Sequence, residues 1–390
     1  MAKIEGIEVS RAVTIACKLA NVDVVAAYPI TPQTHIVEDL AEMVANGELD
    51  ASFIPVESEH SALSACLGAA AIGARAFTST AAQGLELMHE ATYVASAMRL
   101  PIVMAIANRA LSAPISVWGD HSDVMAVRDT GWIQIFVENG QQAVDNVFCS
   151  FRIGEDPRVL LPVMLHLDGF HLTHVIEPIT FPEQSEVDKF LPPNKYPLPL
   201  DPDKPVAMGG FGPPYIYPEA KKAQEVNINA SKEIILECWK EFGDLFGRYY
   251  SPVEYYKCDG AKVLLLTMGS FSETAMDTID KMQAEGKSVG LLRLRLWRPF
   301  PFAEIRQAVK GVETLIVLDR ALSFGYGGPV FSEVRSTLYG EDKRPKVVSF
   351  IGGLGGRDIS AEGFEQLINR GIEIAQKGSE QEFEMFGVRE

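Results

Sequence analysis

The sequence predicts an α/β protein built around parallel sheets. Three observations support this class. The chain has 390 residues, more than a single core usually holds. Short apolar, β-branched runs alternate with longer helical ones, and this alternation stops in the middle of the chain and then resumes. Strands that are apolar nearly throughout and are separated by helices are typical of parallel sheets covered on both faces. We therefore expect α/β domains at residues 1–177 and 261–390, joined by residues 178–260.

The first region alternates predicted strands and helices. The strands are Asp23–Tyr28, Arg75–Thr78, Pro101–Ala107, Ile133–Val137 and Val159–Leu167. The helices are Ser10–Leu19, Gln33–Ala45, Ser61–Gly73, Leu85–Ala97 and Gln141–Gly154. The helix Ser61–Gly73 is so rich in small residues that it should pack closely, either on the sheet or on a partner chain.

In residues 178–260 the alternation of predicted strands and helices stops. Their prolines favour extended or turning backbone, and they cluster at Pro192, Pro193, Pro197, Pro199, Pro202, Pro205, Pro213 and Pro214. A helix is predicted after them, at Glu219–Phe246. We interpret the segment as an arm or linker packed on the first domain.

The last region resumes the alternation and predicts a second α/β domain. Its strands are Lys262–Met268, Ser288–Leu294, Thr314–Leu318 and Lys346–Ile351. Its helices are Ser272–Glu285, Phe302–Lys310, Pro329–Leu338 and Glu362–Gln376.

Charge and composition argue against several classes of partner. The formal net charge is −17, with 47% apolar and 22% charged residues. A globular chain this acidic is a poor ligand for polyanions, so we expect neither nucleic acid nor a membrane as a partner. The apolar run Val159–Leu167 is too short for a membrane span. Glu5, Glu8 and Arg11 precede any apolar run, so no secretory signal is predicted.

The cysteines do not form a recognisable metal or disulfide pattern. They are Cys17, Cys66, Cys149, Cys238 and Cys258, an odd number without a Cys-x-x-Cys pair. This spacing excludes a self-contained iron–sulfur cluster or zinc finger of the usual kind, and it argues against a disulfide framework. We expect a cytoplasmic protein with reduced thiols.

Candidate functional residues follow the strands of the first domain. Ligands of open parallel sheets bind beyond the carboxyl ends of the strands. The segments expected at that edge are Pro29–Thr34, Glu57–His60, Ser79–Gly84, Asn108–Arg109 and Asp168–Gly169. A guanidinium, several hydroxyls and several carboxylates should therefore converge there.

Two chemical roles suit these side chains, each with a structural alternative. Arg109 and Thr31 are a suitable pair for a substrate carboxylate. Thr31 could equally cap the helix Gln33–Ala45, and Arg109 could be a surface ion-pair residue. Glu59 or Glu57, beside an Ala-rich helix, is a candidate for proton transfer, since burial favours the neutral acid. Either glutamate could instead be a solvated loop charge.

The remaining polar motifs give weaker signals. His121-Ser122-Asp123 has the residue types of a catalytic triad without evidence of its geometry. His166, His171 and His174 lack a matched pattern of carboxylates. We therefore expect structural imidazoles and no metal site in this chain.

Several ordered motifs together resemble one enzyme family. They are YPITPQT (Tyr28–Thr34), ESEHSA (Glu57–Ala62), AQGL (Ala82–Leu85), ANRALSAP (Ala107–Pro114), WGDHSD (Trp118–Asp123), RDTGW (Arg128–Trp132) and LDGF (Leu167–Phe170). They occur in the same order as in alpha subunits of pyruvate:ferredoxin oxidoreductase, one of the 2-oxoacid:ferredoxin oxidoreductases. The resemblance spans nearly the whole chain, because Lys262 to Gln376 also resembles that family's transketolase-C-terminal-like domain.

The resemblance implies a thiamine diphosphate site shared between subunits. The first domain resembles the pyrimidine-binding, doubly wound half of a thiamine enzyme. The diphosphate and Mg²⁺ would lie on a beta subunit, whose Gly-Asp-Gly motif is missing from this sequence. The 4Fe-4S clusters would also lie on partner subunits, of beta, gamma and delta type, and ferredoxin would accept the electrons.

The same resemblance implies roles for individual residues. Glu59 matches the glutamate that hydrogen-bonds the aminopyrimidine ring and assists deprotonation of the cofactor, while Glu57 is the weaker candidate. Thr31 and Arg109 match residues that bind the 2-oxoacid carboxylate and touch the cofactor site. Pro29 and Ile30 match the loop that contacts thiamine.

The implied reaction is oxidative decarboxylation of pyruvate with coenzyme A to acetyl-CoA and CO₂. The residues of the motifs YPITPQT and NRALSAPI most resemble those of pyruvate enzymes, which favours pyruvate as the substrate. The alternatives 2-oxoisovalerate, 2-oxoglutarate and an aryl glyoxylate are not excluded, because Thr31 and Arg109 bind only the carboxylate that all 2-oxoacids share. A non-catalytic scaffold subunit is the alternative of another class. The sequence leaves open the subunit stoichiometry, the physiological electron acceptor and the favoured direction.

Overall fold

The computed structural model describes residues 3–389 of the chain. Within this range the strands, numbered along the chain, are β1 (Lys3–Glu8), β2 (Val24–Ala27), β3 (Ser52–Pro55), β4 (Ala76–Thr80), β5 (Ile102–Asn108), β6 (Ile133–Phe136), β7 (Val163–Asp168), β8 (Ile176–Phe181), β9 (Val253–Tyr256), β10 (Val263–Thr267), β11 (Val289–Leu294), β12 (Leu296–Arg298), β13 (Thr314–Asp319), β14 (Lys346–Ile351) and β15 (Glu384–Met385). The helices are α1 (Val9–Leu19), α2 (Thr34–Ala45), α3 (Glu59–Ala71), α4 (Ala82–Ala97), α5 (Ser122–Ala126), α6 (Gly140–Gly154), α7 (Gln184–Phe190), α8 (Tyr217–Phe246), α9 (Phe271–Ala284), α10 (Phe302–Ala308), α11 (Pro329–Leu338) and α12 (Ala361–Lys377).

The larger sheet has seven strands in the order β12–β6–β7–β5–β4–β2–β3, and all but β12 run parallel. Alternate residues of its strands enter two separate apolar cores. Side chains such as Phe77 and Val103 face α1, α2 and α6, while Ile102 and Met104 face α3 and α4. The sheet is therefore covered on both faces, as the apolar strands predict.

The second sheet has six strands in the order β15–β14–β13–β10–β11–β9. Only β9, which pairs with β11, is antiparallel within it. Its residues again alternate between two cores: Leu264 and Val317 lie with residues of α10 and α11, and Leu265 and Ile316 with residues of α9 and α12. The predicted class, a doubly wound α/β domain followed by a second α/β domain, is confirmed.

Two strand pairings cross the predicted subdivision of the chain. Strand β12 follows β11 directly in sequence, yet it pairs with β6 at the edge of the larger sheet. Strand β8 pairs with β1 in a two-stranded antiparallel ribbon. The boundaries at residues 178 and 261 stay predictions. Strand β12 links the second sheet to the larger one, because it follows β11 in sequence and pairs with β6, whereas the β1–β8 ribbon belongs to neither sheet.

The structure corrects three predicted element starts, two of them at the expected binding edge. Helix α3 begins at Glu59 and not at Ser61, because the Ser58 hydroxyl accepts a hydrogen bond from the Ser61 N–H and caps the helix. Strand β4 continues to Thr80, and α4 then begins at Ala82 and not at Leu85. These shifts shorten the loops and place their polar residues on rigid elements.

The third correction concerns β7, which begins at Val163 and not at Val159. Pro162 has no N–H to donate to the sheet, and Leu160 adopts a left-handed backbone with φ of 45°. The apolar run therefore starts as a buried loop and becomes a strand only after the proline.

The middle segment packs on the first domain through α8. Trp239 Nε1 donates a hydrogen bond to Asn146 Oδ1 of α6 at 3.1 Å, and Arg248 forms an ion pair with the buried Asp145 at 2.5 Å. Within residues 3–389, none of the helices combines the length and the apolar character needed to cross a lipid bilayer.

Candidate active site

Arg109 and Thr31, the predicted carboxylate pair, are in direct contact. Arg109 follows β5, and its Nη1 donates a hydrogen bond to the main-chain carbonyl of Thr31 at 2.9 Å. Its Nε donates to the carbonyl of Ser116 at 2.7 Å. The side chain is only 6% exposed and has no carboxylate partner among the described residues, so it is not a surface ion-pair residue. Its other N–H donors stay available for an anionic ligand.

Thr31 does not cap the helix that follows it. The N-cap residue of α2 is Gln33, whose side chain makes no capping hydrogen bond. The Thr31 side chain is exposed and its hydroxyl has no hydrogen-bond partner among residues 3–389. The hydroxyl is therefore free to bind a ligand at the edge that Arg109 occupies.

Gln33 fixes the loop that carries Thr31. The fully buried Gln33 amide donates to the carbonyls of Ser79 at 2.7 Å and Tyr28 at 3.2 Å, and its Oε1 accepts from the Ile30 N–H. The loop after β2 is thus attached to the end of β4. Our sequence interpretation gave Gln33 no role beyond starting a helix, although it lies inside the YPITPQT motif.

Asp123 joins the other two loops of the site. Its Oδ2 accepts hydrogen bonds from the main-chain N–H groups of Arg109 at 2.9 Å and Ala82 at 3.1 Å, and its Oδ1 accepts from Asn108 Nδ2. Complete burial raises the pKa of Asp123 to about 7, against the lowering effect of these hydrogen bonds. Asp123 is therefore a second positioning residue that the sequence signalled only through the WGDHSD motif.

The same contacts decide against the triad interpretation. His121 Nε2 contacts Asp168 at 2.9 Å and not Asp123, and the Ser122 hydroxyl donates to Asp120. Burial lowers the pKa of His121 despite the Asp168 carboxylate, so its imidazole is neutral near pH 7. These residues stabilise the loop and do not form a serine nucleophile with its base.

Glu59 is buried against α4 and has no hydrogen-bond partner among the described residues. It occupies the first turn of α3, is 6% exposed, and makes no hydrogen bond with another described residue. Gly84 of α4 faces it: a Cβ at this position would overlap Thr80 Oγ1 and lie 2.6 Å from Glu59 Oε1. Glu59 is thus not a solvated loop charge, and Gly84 leaves the space that its carboxylate occupies.

Glu57 differs from Glu59 both in its exposure and in its hydrogen bonding. It is exposed, and its carboxylate accepts a hydrogen bond from the Ser61 hydroxyl at 2.6 Å. That hydrogen bond lowers the pKa of Glu57. Between the two glutamates, only Glu59 has the burial and the unused hydrogen-bonding capacity expected of a ligand-binding acid.

Further polar atoms on the elements beside Glu59 are buried and unpaired. They lie at the end of β4 and in the first turn of α4: Thr78 Oγ1, Ser79 Oγ, Thr80 Oγ1 and Gln83 Oε1. Buried polar atoms nearly always have partners, so these atoms are candidates for contact with a bound ligand. An aminopyrimidine ring, which both donates and accepts hydrogen bonds, fits these residues together with Glu59. Pro29 is exposed and Ile30 half-buried on the neighbouring loop.

Asp168 connects the second sheet to this site. Arg320, which follows β13, contacts Asp168 at 2.5 Å and donates to the carbonyl of Gly119 at 3.0 Å. Ser270, which follows β10, donates to Asp168 through both its N–H and its hydroxyl. Burial alone would raise the pKa of Asp168, but Arg320 and His121 hold it well below its usual value.

Comparison with family models identifies both halves of the chain. Residues 15–240 match the model described as pyruvate flavodoxin/ferredoxin oxidoreductase, thiamine diphosphate-binding. Residues 261–364 match the model described as pyruvate:ferredoxin oxidoreductase core domain II.

Individual proteins of the same family are similar to this chain over nearly its whole length. The chain is 49% identical to the pyruvate synthase subunit PorA of Methanothermobacter thermautotrophicus over 93% of this chain and 94% of that protein. It is 41% identical to the ketoisovalerate oxidoreductase subunit VorA of Pyrococcus horikoshii. That alignment covers 95% of this chain and 94% of that protein. Among solved structures, the 2-oxoglutarate:ferredoxin oxidoreductase of Magnetococcus marinus shares the fold, with a TM-score of 0.74 at 19% identity. That alignment covers 96% of this chain and 65% of the solved one.

Proposed function

This chain belongs to the pyruvate:ferredoxin oxidoreductase family, and we propose that it supplies the pyrimidine side of a thiamine diphosphate site shared with a partner subunit. It is a subunit of a multi-subunit enzyme that oxidises a 2-oxoacid, and the relatives named pyruvate synthase favour pyruvate as that substrate. The observation that carries the proposal is the buried, unpaired carboxylate of Glu59 above Gly84.

Glu59 would hold and exchange a proton with the pyrimidine ring. Thiamine diphosphate, when bound, supplies a carbon nucleophile for attack on the 2-oxo carbon. Glu59 is only 6% exposed, and no donor among the described residues holds its carboxylate oxygens. Thr80 and Gln83 offer further hydrogen-bonding atoms to the same ring.

Arg109 and Thr31 would bind the substrate carboxylate. The guanidinium is fixed by two main-chain carbonyls and retains unused N–H donors, so it offers a preorganised fork to the carboxylate. The Thr31 hydroxyl would add a neutral donor. Pro29 and Ile30 would complete the wall of the cofactor site on the same loop.

The rest of the machinery would lie on partner subunits of beta, gamma and delta type. These partners would hold Mg²⁺ with the diphosphate and the 4Fe-4S clusters, with coenzyme A as acyl acceptor and ferredoxin as electron acceptor. The cysteines support this division, because all five are unpaired and four are buried. Unpaired cysteines also fit the cytoplasm that we propose as the compartment.

The test compares the assembled complex with the isolated chain. With coenzyme A and a viologen dye, the complex should oxidise pyruvate more efficiently than 2-oxoisovalerate, 2-oxoglutarate or an aryl glyoxylate. The isolated chain should be inactive and should bind thiamine diphosphate weakly in calorimetry. A preference for 2-oxoisovalerate would show that the enzyme has the substrate named for its 41% identical relative, the ketoisovalerate oxidoreductase subunit. Failure of the complex to bind thiamine diphosphate would indicate a scaffold.

A further inference from the structure

We propose that Glu8, His35 and His174 form a binding site for a divalent transition-metal ion of the zinc class. One potential ligand atom from each of the three side chains lies within 4.8 Å of the other two. The residues come from three different segments: the end of β1, the first turn of α2, and the connection between β7 and β8. Our sequence prediction of a structural imidazole at His174 did not consider this arrangement.

The ligand types and their spacing suit a zinc-class ion. Two imidazoles and one carboxylate are a set that zinc enzymes use with water in the fourth position. Ligand atoms bound tetrahedrally to one Zn²⁺ at about 2.1 Å stand roughly 3.4 Å apart. Atoms separated by up to 4.8 Å must therefore approach one another by up to about 1.4 Å to enclose an ion, a movement that side-chain rotation supplies. Such rotations are open to this cluster, because the side chains of His35 and Glu8 are 38% and 20% exposed.

The carboxylate of Glu8 is directed at the cluster and has no competing structural role. Glu8 is the N-cap residue of α1, but its side chain makes no capping hydrogen bond. Instead its Oε1 lies 2.5 Å from His35 Nδ1. An ion would replace this single contact with bonds to both side chains.

The surroundings of His174 prepare its imidazole for a metal. The Thr173 hydroxyl contacts His174 Nδ1 at 2.8 Å, which leaves Nε2 free. Ligating histidines typically hydrogen-bond through their other ring nitrogen in this way.

Aromatic packing fixes the orientation of the same ring. The Phe170 ring lies 4.6 Å from His174, and the His35 ring lies 4.8 Å from it. A bound ion would tie together three segments that are distant in sequence, and it would thereby stabilise the native state. Because His35 stands in the first turn of α2, the ion would also fix the helix that follows the Thr31 loop.

The test uses the full-length chain, freed of metal and kept reduced. Calorimetry with Zn²⁺ should show one ion bound per chain, and Co²⁺ should give the visible absorption of nitrogen and oxygen ligands. Added Zn²⁺ should raise the melting temperature. His174→Ala and Glu8→Gln should each weaken binding by more than the roughly 10- to 100-fold cost of losing an outer-shell partner. Glu8→Gln keeps the side-chain shape, so it stays informative if His174→Ala fails to fold.

His89→Ala is the matched control. His89 also faces a carboxylate, Glu86 at 3.5 Å, but this pair belongs to no three-ligand group among the described residues. The variant should keep wild-type affinity and the wild-type cobalt spectrum. Absence of binding in the wild type, equal binding in all variants, or a cobalt spectrum of thiolate ligands would each overturn the proposal.

Discussion

Arg109 Nη1 donates a hydrogen bond to the main-chain carbonyl of Thr31 at 2.9 Å, across 78 positions of sequence. The contact joins the loop after β5 to the loop after β2, and Arg109 Nε extends it to Ser116. The same guanidinium thus positions two loops and still offers N–H donors to a ligand. In our proposal, this one side chain both binds the substrate carboxylate and positions the loops.

Arg109→Ala should reduce substrate use much more than cofactor binding. A charge-assisted hydrogen bond contributes roughly 1.5–3 kcal/mol, so kcat/KM of the assembled complex should fall about 10- to 100-fold. Arg109→Lys should restore little, because an ammonium group cannot present a planar fork or reach both carbonyls. Steady-state kinetics with pyruvate, beside calorimetry with thiamine diphosphate, separates the two effects.

Thr31→Ala is the companion variant to Arg109→Ala. It removes the exposed hydroxyl but keeps the main-chain carbonyl that Arg109 contacts. The loss in kcat/KM should therefore be smaller, on the order of one neutral hydrogen bond, about 1 kcal/mol. Unchanged kinetics in Arg109→Ala would show that the carboxylate binds elsewhere and that Arg109 only connects the loops.

Glu59→Gln should slow catalysis while the fold is kept. Proton transfer by a positioned side chain contributes on the order of 10²- to 10⁴-fold, and the amide cannot exchange a proton. Glu57→Gln is the matched control two residues away, exposed and bonded to Ser61, and it should cost little. Exchange of the C2 proton of bound thiamine diphosphate measures the step directly. Equal losses in both variants would mean that the wrong carboxylate has been chosen.

The fold was largely predictable from the sequence because apolar strands and amphipathic helices carry their own periodicity. The candidate site rests on the ordered motifs, which resemble one family, and its residue roles stay predictions. Local patterns could not show that Gln33 reaches Ser79 or that Asp123 bridges Ala82 and Arg109, since these contacts join distant segments. Strand β12 was missed for the same reason: three residues carry no periodic signal, and their partner lies in the other sheet.

Gly84→Ala should damage cofactor binding more than it damages stability. A Cβ at this position would lie 2.6 and 2.8 Å from Oε1 and Cγ of Glu59, so the carboxylate must move away. Misplacement of a reacting group by about 1 Å can cost on the order of 100-fold in rate. The affinity of the complex for thiamine diphosphate and its kcat should both fall.

Gly68→Ala in α3 is the control for helix propensity. Gly68 is exposed, and a Cβ there would meet nothing within 4 Å. This substitution should raise the free energy of unfolding by up to about 1 kcal/mol and leave kinetics unchanged. If Gly84→Ala behaved in the same way, the close approach of Gly84 and Glu59 would have no bearing on function.

Asp168→Asn should destabilise the chain most at neutral pH. Although burial opposes ionisation, Arg320 and His121 hold the pKa of Asp168 below its usual value. The ionised group therefore contributes stability that is complete above the unfolded pKa, about 3.9, and is lost on acidification below it. Breaking a buried ion pair costs about 3–5 kcal/mol, which urea unfolding at pH 7 should reveal. The difference from wild type should shrink as the pH falls below about 4.

Asp319→Asn should show the opposite dependence on pH. Asp319 is as deeply buried, but it faces the N–H groups of Val330 and Phe331 without a cation. Burial raises its pKa to about 7, so the folded state binds the proton more tightly than the unfolded state. Wild-type stability from this group is present at low pH and is lost as the pH rises from about 4 to 7. The cost of Asp319→Asn should therefore decrease over the range in which the cost of Asp168→Asn is constant. Parallel curves for the two variants would show that Arg320 and His121 do not set the ionisation of Asp168.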